Sequence, residues 1–186
     1  MGDPQPRGAG TSRAGPGEPD RGGTVHEGPP GQTVRGRLFA LGYRDPTAPV
    51  WSDALEVLLG LGELEQGRTY LDRHEDCARR VGSPLALACV ARCRGLLAAA
   101  EGDLDAAFAG LERAVTELEA LPYPLEYGRA LLCLGSVYRK AKRKGAARDA
   151  LERSETIFNE LGAQLWAEKA TAELSGSAVD VVVQRA

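Results

Sequence analysis

The sequence predicts an all-α fold: an antiparallel helix-hairpin solenoid of about three 40-residue repeats plus a capping helix. Three observations support this fold class. Aromatic residues make up only 5% of the 186 residues, and residues that favour helices, such as Ala, Leu and Glu, are abundant. Apolar residues between Trp51 and Leu174 recur at helical spacing. The same pattern returns after 40 residues, in three units and without an insertion.

Four segments follow one another along the chain. The N-terminal segment is rich in Gly, Pro and Arg, so it cannot bury enough apolar surface to offset the entropy of ordering. Pro46 and Pro49 then block a continuous helix, because the residue before a proline avoids the helical conformation. We therefore predict a disordered tail (1–36), a transitional segment (37–50), a helical repeat domain (51–174) and a flexible C-terminal tail (175–186).

The second unit shows how each repeat is built. A helix begins near Pro84, which suits a first turn, and ends at Gly102, which suits a helix stop. Asp103 then caps the next helix, so Glu-Gly-Asp is a helix stop joined to a helix start. We predict the equivalent breaks at residues 62–63 and 143–144, and a capping helix near 163–174.

Small residues recur at fixed positions of the repeat. They allow two helices to approach closely, and a large side chain there would cost roughly 1–3 kcal/mol. We therefore predict that they lie at helix contacts, together with one leucine position. The aligned residues are Gly95 and Gly135; Gly67, Ala107 and Ala147; and Leu71, Leu111 and Leu151.

Composition also narrows the class of protein. The net charge of -3 argues against broad, non-specific nucleic-acid binding. The sequence contains neither a signal-peptide pattern nor an apolar run long enough to span a bilayer, so we expect a cytoplasmic protein without a membrane partner. The four cysteines fall inside predicted helices, and we expect them to be reduced.

The repeat resembles two known families. The spacing of Gly95, Gly102, Ala107 and Leu111, with Ala114 and Tyr138, resembles the tetratricopeptide repeat, although a 40-residue period is longer than the 34 residues usual there. Residues 49–72, 91–115 and 124–174 together resemble the helical-repeat arm of the large ATP-binding LuxR-type transcriptional regulators.

The resemblance implies a non-enzymatic protein-interaction module of bacterial transcriptional regulation, without a cofactor. Its expected partner is a protein or peptide on the concave face, or another part of a LuxR-type regulator. No G-x-x-x-x-G-K-[ST] motif occurs, and the residues after Leu174 are too few for a helix-turn-helix, so we expect neither ATP hydrolysis nor direct DNA binding. The alternatives are a DNA-binding regulator that is truncated here and a non-functional gene fragment.

Two sets of residues are candidates for binding. Arginine and tyrosine are favoured at binding hot spots, and we expected exposed anchors at Arg92, Tyr127, Arg129 and Tyr138. Five cations surround the third hairpin turn. They either complement a helix C-terminus or contact a phosphate or an acidic partner. This basic hairpin consists of Arg139, Lys140, Lys142, Arg143 and Lys144.

A metal site is the remaining hypothesis. His74 and Cys77 lie on one predicted helix, and Cys89 and Cys93 lie on the next, so an antiparallel turn could form a Cys3His zinc site. The alternative is that these are buried packing residues. We favour packing, because Cys93 recurs as Cys133 after 40 residues and the spacing matches no standard zinc finger.

Overall fold

The structure, a computed structural model, describes residues 50–176 together with Met1. The predicted tail 1–36, most of the transitional segment and residues 177–186 therefore lie outside the described residues, apart from Met1. Residues 50–176 form seven α-helices and no strand, which confirms the all-α class. The helices are α1 (Val50–Gly60), α2 (Leu64–Val81), α3 (Pro84–Glu101), α4 (Leu104–Glu119), α5 (Pro124–Lys140), α6 (Lys144–Glu160) and α7 (Gln164–Ser175).

The 40-residue period recurs in the helices themselves. We call α1, α3, α5 and α7 the first helices, and α2, α4 and α6 the second helices. The second helices begin at residues 64, 104 and 144, and three first helices begin at 84, 124 and 164. Residues 71–80, 111–120 and 151–160 have the same order of buried, half-buried and exposed positions. The sequence repeat is therefore also a repeat of local environments.

Neighbouring helices supply most of the packing. Each helix packs against the next one along the chain, across links of two to four residues. The first helices also pack against one another, in the order α1–α3, α3–α5 and α5–α7. Apolar clusters fill the spaces between them, and the three aligned leucines at 71, 111 and 151 are almost completely buried.

The break between α3 and α4 has the predicted form. Gly102 adopts a left-handed conformation with φ +86°, which ends α3. The Asp103 carboxylate then accepts a hydrogen bond of 3.0 Å from the Ala106 backbone N–H, so it caps α4. Pro84 lies in the first turn of α3, as expected.

The close contact at Gly95 confirms the prediction for the small residues. A Cβ atom at Gly95 would lie 2.6 Å from Leu111 Cγ and 2.9 Å from the Ala107 carbonyl oxygen. At Gly135, one period later, it would lie 2.6 Å from Leu151 Cγ. The first and second helices of a pair therefore approach too closely for any side chain at these positions.

The last helix, α7, is polar where the earlier first helices are apolar. Ala88, Ala91 and Gly95 of α3 pack against α4 or its neighbours. The equivalent residues of α7 are larger and polar, and all three are exposed: Glu168, Thr171 and Ser175. The surface of α7 that corresponds to a docking surface in α3 is therefore hydrophilic.

The third link differs from the prediction. We placed the break at 143–144, whereas α5 ends at Lys140 and α6 begins at Lys144. The turn residue is Lys142, with φ +60°, at the position that Gly62 and Gly102 occupy in the other units. The signal was misread because a lysine stands where the repeat has a glycine.

Lys142→Gly is expected to stabilise the protein by about 1 kcal/mol, because a side chain in the left-handed region is strained and glycine is not. Urea unfolding followed by circular dichroism measures the change. The reciprocal variant Gly102→Lys is expected to lose a similar amount. An unchanged or lower unfolding free energy for Lys142→Gly would contradict the strain at this turn.

Candidate functional site

A group of charged residues is buried between three first helices. Its centre is Arg92 of α3, whose side chain is 0% exposed. Arg92 Nη1 donates a hydrogen bond of 2.7 Å to Glu126 Oε2 of α5. Arg92 Nη2 lies 3.0 Å from Glu56 Oε1 of α1. One guanidinium group therefore joins α1, α3 and α5.

Arg129 of α5 completes this group, which we call the Arg92 cluster: Arg92, Arg129, Glu126, Glu56 and Asp53. Arg129 Nη1 donates to Glu126 Oε1 at 3.0 Å, and its Nη2 donates to Glu56 Oε2 at 3.0 Å. The same nitrogen lies 2.5 Å from Asp53 Oδ1. Asp53 is half-exposed, so the cluster reaches solvent at α1.

The two arginines determine the charge state of Glu126. Burial alone would raise the pKa of this carboxyl, but Arg92 and Arg129 outweigh burial and lower its pKa below the usual 4.5. Burial likewise lowers the pKa of Arg92, while Glu56 and Glu126 outweigh it and raise that pKa above its usual value. All three groups are therefore charged at neutral pH.

Because the folded state lowers the pKa of Glu126, the cluster contributes stability that is present above the unfolded pKa and is lost as pH falls through the folded pKa. We expect the unfolding free energy to decrease below about pH 4.5. Glu126→Gln should flatten this decrease in denaturant titrations at several pH values. Glu160→Gln is the matched control, since Glu160 is exposed and forms no ion pair within residues 50–176. Equal acid sensitivity in the wild type and Glu126→Gln would contradict the role of Glu126.

The cysteines around the cluster are thiols of low reactivity. Cys89 Sγ donates to Glu126 Oε2 at 3.6 Å, and burial raises the pKa of Cys89 to about 11. Burial also raises the pKa of Cys133, to about 12, and that of Cys93. These thiols are protonated at neutral pH, and a protonated thiol is a poor nucleophile.

The zinc hypothesis receives no support from the geometry. Within the part of the chain that the structure describes, no group of three or more His, Cys, Asp or Glu residues could hold a metal ion. Cys93 instead packs with Leu55, Leu71 and Leu97 in an apolar cluster, and His74 is buried on α2. Cys77 is half-buried and Cys89 contacts the Arg92 cluster.

Two of the four expected binding anchors are not exposed. Arg92 and Arg129 are 0% and 5% exposed, so the expectation of surface arginines was wrong. The reason is that carboxylates on neighbouring helices pair with both guanidinium groups, which permits their burial. The sequence contains these carboxylates, but only the fold shows that Glu56 and Glu126 lie beside the arginines.

The two expected tyrosines are half-buried and contact α4. Tyr127 Oη donates to Glu119 Oε1 at 3.1 Å. Tyr138 Oη donates to Glu112 Oε1 at 2.6 Å, and its ring packs against Phe108 with centroids 5.1 Å apart. Both side chains therefore lie between a first helix and a second helix, and the structure does not bring them together with Arg92.

Sequence reasoning missed an aromatic and cationic surface on α7. Trp166 is half-buried and packs against Phe158, with ring centroids 5.8 Å apart. Lys169 Nζ lies 4.2 Å from the Trp166 ring centroid, and Arg129 Cζ lies 4.8 Å from it. We call Trp166 and Lys169 the Trp166 patch. Trp166 stands at the repeat position of Glu126, so an aligned repeat could have singled it out.

The basic hairpin divides into two parts. Arg139 is half-buried and its Nε donates to Glu173 Oε2 of α7 at 2.7 Å. The other four cations are exposed, and none of them forms an ion pair with a carboxylate of residues 50–176. We call these four the basic link: Lys140, Lys142, Arg143 and Lys144. Arg143 Cζ lies 4.1 Å from the Phe108 ring centroid, so the link adjoins the first turns of α4.

Two further findings bear on the class of protein. Among residues 50–176, no helix combines the length and the hydrophobicity that a bilayer crossing requires. Comparisons with protein-family models, with curated proteins and with solved structures find no match. The function is therefore argued from the geometry and from the sequence resemblance.

Proposed function

We propose that this chain is a non-enzymatic protein-interaction module: a tetratricopeptide-like solenoid of antiparallel hairpins that binds a protein or peptide. The observation that carries the proposal is the 40-residue recurrence of helix starts and burial patterns. Stacked repeats of this kind present extended surfaces, and their concave faces bind other proteins. The polar surface of α7 suits a capping helix, because the last repeat must face water.

The first helices carry the proposed ligand surface. They pack against one another in sequence, which in a solenoid aligns them along one face. The Arg92 cluster fills the centre of this face with internal ion pairs, so its groups are already matched. The ligand therefore contacts the two ends of the face, namely Asp53 of α1 and the Trp166 patch of α7.

Trp166 is the proposed principal anchor. Tryptophan is enriched among binding hot spots because it offers a large apolar surface and a hydrogen-bond donor. Phe158 holds one part of the ring, which limits the entropy lost when a ligand packs against the exposed part. Lys169 beside the ring supplies a charge for the ligand to pair with.

The biological setting follows from the sequence resemblance. The similarity of residues 49–72, 91–115 and 124–174 to the arm of LuxR-type regulators supports a role as a sensor or scaffold arm in bacterial transcriptional regulation, in the cytoplasm. The partner is then a protein or peptide ligand, or another part of such a regulator. The all-helical structure of residues 50–176 is compatible with this role.

Peptide selection on the immobilised full-length chain tests the proposal. We expect selected peptides to bind saturably, and Trp166→Ala to weaken them about tenfold, a typical effect for an aromatic hot spot. Leu165→Ala is the matched control, because Leu165 is the exposed neighbour on the same helix. A chain that selects no saturable binder would contradict the proposed function. Equal affinities for Trp166→Ala and the wild type would contradict the choice of face.

A further inference from the structure

The basic link departs from the other two links of the same type. Residues 60–64 read Gly-Leu-Gly-Glu-Leu, and residues 100–104 read Ala-Glu-Gly-Asp-Leu. Residues 140–144 read Lys-Ala-Lys-Arg-Lys. Four of five positions are therefore cationic in the third unit, where the first two units have neutral or acidic residues.

Two of these cations disfavour folding. Lys142 has φ +60°, at the position where Gly62 and Gly102 adopt the left-handed conformation without strain. Arg143 occupies the N-cap of α6, where Asp103 caps α4 in the second unit. A guanidinium group cannot accept a hydrogen bond, and α6 has no side-chain cap. Local stability therefore favours glycine and aspartate here.

Helix electrostatics explain only part of the basic link. Lys140 lies in the last turn of α5, where a cation complements the negative end of the helix dipole. Arg143 and Lys144 lie at the opposite, positive end of α6, where a cation is unfavourable. The cations at the start of α6 thus have no stabilising role in the folded chain that charge or backbone geometry accounts for.

The surroundings limit the size of an anionic partner. Arg143 packs on Phe108, which places the basic link beside the start of α4. That neighbouring turn carries Asp103 and Asp105, both exposed. An extended polyanion such as a nucleic acid would meet these like charges if it ran along the links. A short acidic segment can contact the cations alone.

We propose that the basic link is a docking site for a short acidic segment of a partner protein. This inference rests on the proposed role as an interaction module and adds a second contact, on the α5–α6 link. Long-range attraction to four exposed cations speeds the encounter with an acidic segment, and the attraction weakens as salt rises.

The test compares two variants with the same change in net charge. K142G/R143D restores the residue types of the second unit, so it should fold at least as stably as the wild type. R79D/R80S removes two exposed cations from the end of α2 and serves as the control. Fluorescence anisotropy measures the binding of a labelled oligo-glutamate peptide and of a labelled DNA duplex to each full-length chain at low and moderate salt.

We expect K142G/R143D to weaken oligo-glutamate binding about tenfold at low salt, and R79D/R80S to weaken it much less. Equal losses for the two variants would mean that net charge alone is responsible and would overturn the proposal. Tighter binding of the duplex than of the peptide, lost in K142G/R143D, would overturn it in favour of nucleic acid. If K142G/R143D binds oligo-glutamate normally while selected peptides still require Trp166, this inference fails and the proposed function stands.

Discussion

Arg92→Met is expected to destabilise the protein by about 3 kcal/mol or more, the largest effect of any single substitution that we consider. The variant leaves Glu56 facing the interior without its partner in α3, and it leaves Glu126 with Arg129 alone. Removing one member of a buried ion pair is costly because the remaining charge is desolvated and uncompensated. Chemical unfolding of the full-length chain measures the loss.

Arg94→Met is the matched control for this prediction. Arg94 lies two residues away on α3 and pairs with Asp72 and Glu75 of α2, but its side chain is partly exposed. Exposed ion pairs contribute about 0–1 kcal/mol, so we expect a small loss. If Arg94→Met is as damaging as Arg92→Met, burial of the Arg92 cluster is not what makes it important.

Gly95→Ala is expected to destabilise the protein by about 2–3 kcal/mol through one added methyl group. The new Cβ would lie 2.9 Å from the Ala107 carbonyl oxygen and 3.0 Å from the Leu111 backbone nitrogen. Backbone atoms cannot move aside as a side chain can, so α3 and α4 must separate. The loss of unfolding free energy would be measured under the same conditions as for Arg92→Met.

Two other glycines provide the comparison. Gly135→Ala should cost less than Gly95→Ala, because its closest contacts are the Cγ and Cδ2 atoms of Leu151, which can change rotamer. Gly145→Ala should be neutral or stabilise by about 0.5 kcal/mol, since nothing lies within 4 Å of its added Cβ and alanine favours a helix. The reverse order of these three effects would contradict the close approach of α3 and α4.

The helices were predictable because their signals are local. Pro84 at a first turn, Gly102 at a helix end and Asp103 at a cap each act within a few residues, and the repeat multiplies the signal. Turn chemistry misled only at the third link, where Lys142 replaces the glycine. Alignment with Gly62 identifies the turn position once the repeat is trusted over the residue type.

The candidate site was less predictable because its contacts are distant in sequence. Arg92 and Glu126 are 34 residues apart, and Arg129 and Glu56 are 73 apart. Nothing in the local pattern distinguishes an arginine that will be buried from one that will be exposed. The Trp166 patch likewise depends on how α5 and α7 meet.

The reach of Arg129 from α5 to α1 has a consequence for how the molecule comes apart. An array held together only by nearest neighbours frays unit by unit from its ends, and its melting transition broadens. Arg129 skips α3 and ties the first unit directly to the third. The part from α1 to α5 is therefore expected to melt as one cooperative block. Amide hydrogens in α6 and α7, beyond that tie, are expected to exchange earlier.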